Sequence, residues 1–220
     1  MSALGTDIED LFARNRKWAA TTEAREPGFF SRLAHQQSPR YMWIGCSDSR
    51  VPANEITGLD PGEVFVHRNV ANLMVHSDLN ALSTLQFAVE RLQVKHVMVV
   101  GHYGCAGVRA VLQGARTGLA DNWLRHVHDT RMRHRKRLDH LDEPQRENIL
   151  CEMNVIEQVG NVAQSTVIQD AWARGQQVAI HGWVYGLQDG LLKDLEVTMD
   201  HPDRVLNVFS QAIKRYPRVA

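Results

Sequence analysis

Residues 41–52 read YMWIGCSDSRVP, and the first half of this stretch sets the architecture. The aromatic and β-branched residues 41–45 predict a short strand, and the small polar residues after them predict a loop. In parallel α/β sheets the loops at strand C-termini build the ligand site. Cys46, Asp48 and Arg50 therefore place a thiol, a carboxylate and a guanidinium at a favoured position. Side chains alternate along a strand, so Trp43 and Gly45 share one face while Ile44 and Cys46 point to the other. A second stretch, KHVMVVGHYGCAGV at 95–108, repeats the pattern. Its apolar strand ends at Gly101, and His102 and Cys105 follow at H-x-x-C spacing.

Working outward, strands are expected at 64–67, 178–185 and 191–199. The Asp189-Gly190 turn makes the last of these an antiparallel neighbour of the one before. Helical spacing predicts helices at 7–20, 27–36, 53–57, 78–92, 122–141, 146–174 and 203–214, and another opening at Gly104 and Gly107. Alternating strands and helices give an α/β fold with a mainly parallel central sheet, one antiparallel edge strand, helices on both faces and an N-terminal helical arm. One domain is expected over 1–220, with the arm at 1–36 and the α/β core at 37–220.

Composition narrows the function. The 220 residues are 44% hydrophobic and 23% charged with a formal net charge of zero, which favours neither nucleic acid nor an anionic membrane. The basic run RMRHRKR at 131–137 has no interleaved aromatics for base stacking, so it reads as a solvated helix face balanced by nearby acids. No apolar run reaches the roughly 18 residues of a membrane helix. The N-terminus lacks a signal-peptide core, and three cysteines make no disulfide framework, so a cytoplasmic protein is expected. Cys151 has no ligand-type neighbour at helical spacing and reads as a small buried hydrophobe.

Cys46, His102 and Cys105 form a Cys2His set, a three-ligand arrangement that suits zinc and leaves a fourth position open. Asp48 decides between two zinc roles. As a fourth ligand it would close a purely structural site. Held instead by a bidentate pair with Arg50, it would leave zinc free to bind water. Zinc with two thiolates and a neutral histidine is already neutral, so a change of place by Asp48 is chemically reasonable. Phosphate-loop and sulfur-transfer chemistries at Cys46 are disfavoured, since Arg50 stands too close to Cys46 and Asp48 is acidic.

The pair C-S-D-S-R at 46–50 and G-H-x-x-C at 101–105 resembles the signature of the β-class carbonic anhydrases. FVHRNVAN at 65–72, NWL at 122–124 and HGWVY at 181–185 are similar to bacterial members, so the likeness covers nearly the whole chain. The resemblance implies zinc on Cys46, His102 and Cys105, and reversible hydration of CO2 to bicarbonate and a proton by zinc-bound hydroxide. It implies an Asp48–Arg50 dyad that orients this hydroxide, and a low-pH state in which Asp48 binds zinc instead. It also implies an inhibitory bicarbonate site at Trp43, Arg68 and Tyr185, a substrate pocket at Gln37, Phe65 and Val70, and a homodimer or homotetramer. Two departures stand out. Asn54 precedes Glu55 where bacterial relatives commonly have glutamate directly after V-P-A, and Phe87 replaces a frequent tyrosine. Hydrolysis of carbon disulfide or carbonyl sulfide on the same scaffold, and a zinc-stabilised regulatory protein without turnover, are the alternatives.

Overall fold

The computed structural model describes the backbone of residues 3–218, with side chains from residue 8. It divides into two compact units, one ending at Gln37 and the other beginning at Ser38. In the first, α1 (Ala3–Arg25) is longer than the helix expected at 7–20. Helix-favouring residues carry it on until Pro27 disfavours the α conformation before it. A turn at Gly28, φ 80°, leads into α2 (Phe29–His35). Phe30 lies edge-on to Trp18, with ring centroids 5.5 Å apart. Ile8, Leu11 and Phe12 are exposed.

The second unit is built on five strands: β1 (Tyr41–Cys46), β2 (Val64–Asn69), β3 (His96–His102), β4 (Ala179–Tyr185) and β5 (Leu192–Asp194). Their order is β2-β1-β3-β4-β5, parallel except for the β4–β5 pair. The expected fold class is therefore present. β1 and β3 lie inside the sheet and are buried on both faces, which explains their near-continuous apolar character. The last strand is shorter than 191–199. Asp194 Oδ1 accepts the Glu196 N–H at 2.8 Å, Glu196 turns to φ 52°, and only Met199 pairs again, with Ile180.

The helices of this unit are α3 (Ala53–Thr57), α4 (Leu79–Gln86), α5 (Ala106–Gln113), α6 (Ala120–Arg133), α7 (Arg135–Leu138), α8 (Glu143–Ala163), α9 (Thr166–Ala173) and α10 (Val205–Lys214). The single helix expected at 146–174 is two, because the Ser165 hydroxyl accepts the Ile168 N–H and caps α9. Both apolar faces pack on the same core, so the periodicity runs through the break. The helix expected over 78–92 ends at Gln86 and continues as one π turn, Phe87–Arg91, with Leu92 N–H bonded to Phe87 O. The basic run is a solvated face only in part: Met132, Arg133, Arg135 and Lys136 are exposed, but His134 and Arg137 are buried, and Arg133 and His134 both pair with buried Glu157.

Val155, Ile156 and Val159 of α8 pack on Met42, Ile44, Val97, Val99 and Ile180 to form the main core. The opposite sheet face carries Trp43, Met98 and Val100, covered by Val51 and Ala53. Gly182 lets α8 approach β4. A Cβ there would meet Val197 Cγ1 at 2.4 Å and Val159 Cγ2 at 2.9 Å. Gly182→Ala is expected to destabilise by about 1–3 kcal/mol through overpacking, seen as a lower urea midpoint at unchanged slope. An unchanged midpoint would show that α8 yields freely.

Candidate metal centre

Cys46 and His102 end neighbouring parallel strands, β1 and β3, so their side chains emerge together at the C-terminal edge of the sheet. Cys105 follows at the N-cap position of α5. One donor atom from each residue lies within 4.8 Å of the others, and all three residues are buried. The three candidate ligands named from the sequence are thus brought together by the pairing of two strands that are not consecutive in the chain.

The histidine is prepared for a metal. Its Nδ1 lies 3.0 Å from Tyr103 O. A carbonyl can only accept, so the proton sits on Nδ1 and Nε2 keeps a bare lone pair. Nε2 is buried without a hydrogen-bond partner. A buried, unpartnered nitrogen beside two sulfurs is costly unless a cation completes it. This donor set fits zinc, with His102, Cys46 and Cys105 as ligands and a fourth position free. A hydrogen bond from Cys105 lowers the Cys46 thiol well below its ordinary range, while the same bond and burial raise Cys105.

Asp48 is held by Arg50 through a bidentate pair, Nε to Oδ1 at 2.9 Å and Nη2 to Oδ2 at 2.7 Å. The Arg50 backbone N–H adds a third bond at 3.0 Å. The guanidinium holds the Asp48 carboxyl well below the usual carboxylate range. Asp48 Oδ2 stands 3.7 Å from His102 Nε2, so this carboxylate sits at the rim of the metal pocket while tied to Arg50.

Trp43, Arg68 and Tyr185 share one face of the sheet. Gly45 pairs with Arg68, Trp43 with Met98, and His102 with Tyr185, all in phase. Trp43 is fully buried and its Nε1–H has no partner. The indole occupies space left by Gly45, where a Cβ would lie 2.1 Å from Nε1. Arg68 donates to Cys46 O at 2.8 Å and to Asp48 O, fastening the metal loop to β2. Asn54 donates to the carbonyls of Leu59 and Asp60 and closes the turn after α3.

Of the pocket residues, Phe65 stacks on Phe87 at 5.8 Å. Val70 is exposed and lies against Gly107 of α5, where a Cβ would be 3.3 Å from its Cγ1. Gln37 closes the N-terminal unit. Several contributors were not legible. Trp123 donates to Val70 O at 2.8 Å, which gives the N-W-L motif a structural task. Tyr103 orients His102 through its carbonyl and donates its own hydroxyl to buried Glu152. The loop after β2 contains Ala71 at φ 66°, a conformation with no glycine to announce it. Cys151 is buried as expected, and burial pushes its thiol up to about 12.

A carbonic anhydrase family model matches residues 41–192, which span the sheet and both candidate motifs. The chain belongs to the β-carbonic anhydrases. A carbonic anhydrase of Emericella nidulans is 48% identical over 86% of this chain and 83% of its own. The β-carbonic anhydrase of Coccomyxa superposes with a TM-score of 0.86 at 36% identity, covering 96% of this chain and 98% of that one. One of two tetrameric β-carbonic anhydrases from Sordaria macrospora gives 0.83 at 34% identity, over 88% and 99%. The family supports CO2 hydration as the activity of this carbonic anhydrase, and the Cys-His-Cys cluster is compatible with its zinc. Among the described residues no helix is long and apolar enough to cross a membrane.

Proposed function

We propose that this β-carbonic anhydrase interconverts CO2 and bicarbonate at a zinc ion held by Cys46, His102 and Cys105. The observation that carries the reading is the bare, buried His102 Nε2 beside two sulfurs, with a carboxylate fixed at the pocket rim. Zinc in such a site supplies a Lewis acid that brings the pKa of a water in the open position to about 7. The chain's own residues do the rest. Asp48, fixed by Arg50, accepts a hydrogen bond only from a reactant oxygen that bears a proton, and so turns that oxygen's lone pair toward CO2. The apolar side chains Phe65, Val70 and Phe87 suit a substrate with no net dipole. Gln37 is assigned to the same pocket on the family resemblance alone.

Two finer assignments belong to the same reading. The first is exchange of Asp48 from Arg50 onto the metal at low pH, supported by the 3.7 Å separation from His102 Nε2. The second is bicarbonate inhibition at Trp43, Arg68 and Tyr185, supported by the unpartnered indole N–H on the face that the three residues share. The enzyme acts as a homodimer or a dimer of dimers in a reducing compartment such as the cytoplasm. The exposed Val66, Val70 and Phe87 and the tetrameric relatives support the assembly.

Stopped-flow CO2 hydration at about pH 6.5 to 9, on protein of known zinc content, tests the reading. A steep rise with pH, suppressed by added bicarbonate at the low end, is expected. A shallow profile would keep the activity and remove the exchange of Asp48 onto the metal. No turnover with one zinc per chain would overturn the enzyme reading.

A further inference from the structure

β3 ends at His102 and α5 begins after Cys105, so only Tyr103 and Gly104 separate two of the three candidate ligands. Gly104 stands at φ 68°, in the left-handed region that glycine enters without strain. So permissive a residue does little to fix the direction of the peptide before it. The Tyr103 carbonyl, which accepts the His102 Nδ1–H at 3.0 Å, must therefore be aimed by other contacts.

Tyr103 is held at two points. Its backbone N–H donates to Tyr185 O of β4 at 3.1 Å. Its hydroxyl donates to Glu152 Oε1 at 2.5 Å. Glu152 lies on α8 and is almost wholly buried. Lys193 Nζ of β5 donates to the same oxygen at 2.6 Å, and the hydroxyl of Tyr216, just past α10, donates to Oε2 at 2.7 Å. A carboxylate at this depth is tolerable only when paired and hydrogen-bonded, and bonds to an ionised acceptor are stronger than neutral ones. Lys193 and Tyr216 tie β5 and the C-terminal segment to α8. The Tyr103 bond alone continues to the metal centre, because the same residue carries the carbonyl that holds His102.

We propose that Glu152 is a positioning residue for the metal centre: through the Tyr103 hydroxyl it fixes the carbonyl that keeps the His102 proton on Nδ1 and leaves Nε2 bare for the metal. The inference rests on Cys46, His102 and Cys105 holding zinc. Supporting partners that orient a metal ligand are commonly worth about 10–100-fold in affinity.

Tyr103→Phe removes the hydroxyl and keeps the ring. Chelator competition should show zinc bound about 10-fold more weakly, or worse, than in the parent. In the metal-free variant the nitrogen-15 shifts of the His102 imidazole should report mixed tautomers, where the parent carries its proton on Nδ1. Tyr216→Phe takes a hydrogen bond from the same carboxylate without touching Tyr103. It should lower the melting temperature of the metal-free chain and leave zinc affinity and the His102 tautomer as in the parent. Parental affinity and tautomer in Tyr103→Phe overturn the proposal and leave the zinc reading intact. Equal losses of affinity in the two variants also overturn it, since the network would then only staple the fold. If Tyr103→Phe does not fold, Glu152→Gln decides. Its neutral amide is a weaker acceptor than a carboxylate, so a smaller loss in the same direction is expected, and no loss overturns the proposal. Failure of the unaltered protein to bind one zinc per chain would instead remove the reading on which the inference rests.

Discussion

Cys105→Ser is expected to yield a folded protein that carries no zinc and does not hydrate CO2. The substitution separates ligation from local folding. Cys105 is the N-cap of α5, and serine is a preferred residue at that position, so the helix start should be kept or improved. What is lost is one of the two soft ligands. The affinity loss should exceed the roughly 10–100-fold typical of removing only a supporting partner. Zinc content after gel filtration and CO2 hydration of the same sample read the two effects together. A ligand that binds only the native state at 1,000 times its dissociation constant adds about 4 kcal/mol of stability. The variant should therefore melt where chelator-treated parent protein melts. Stoichiometric zinc in Cys105→Ser would show that the metal, if any, is held elsewhere.

Asp48→Ala should leave zinc in place and cut kcat by about 100-fold or more, the lower end of what a positioned proton-handling group contributes. Arg50→Lys should fall between the two, since lysine cannot reproduce the bidentate hold on both carboxylate oxygens. The pH profile carries a sign. The folded-state pKa of Asp48 is depressed by Arg50. Its contribution to stability is thus fully present above the ordinary carboxylate range and is lost only as pH falls through the depressed value. The carboxylate keeps its charge from pH 6.5 to 9, so a steep rate profile there cannot report its protonation. If Asp48 moves onto the metal at low pH, Asp48→Ala flattens the profile as well as lowering it. If Asp48 only orients the reactant, the profile keeps its midpoint. Full activity in Asp48→Ala would favour a structural zinc in a protein without turnover.

The Cys46–His102–Cys105 cluster was legible because its members sit at or just after the ends of two strongly patterned strands. An apolar run followed by a small polar loop identifies a strand end whatever the tertiary context, and soft ligands are few in this chain. The left-handed Ala71 gave no signal, since alanine neither favours nor marks that conformation. Asn154, Gln158 and Asn161 of α8 carried no local signal either, since their partners are backbone groups of Ala71 and Met74, far away in sequence. The break at Ser165 was hidden because α8 and α9 bury matching faces. The buried side of the basic run was missed for a related reason: the counter-charge of Arg133 and His134, Glu157, lies on α8 and not among the neighbouring acids. Local patterns report local geometry, whereas long-range hydrogen bonds are visible only once the layers are assembled.

The placement of the ligands on strands that pair side by side but are separated in the chain by β2 and α4 has a kinetic consequence. Until β1 and β3 have docked, Cys46 and His102 are joined only by a long flexible loop, and closing it costs entropy before any contact offsets it. A parallel, non-local pairing of this kind forms late and slowly. Zinc therefore cannot guide the early collapse of the chain. Bound at this cluster, it would act as a latch on a sheet already formed, and its main kinetic effect should be to slow unfolding while leaving the refolding rate nearly unchanged.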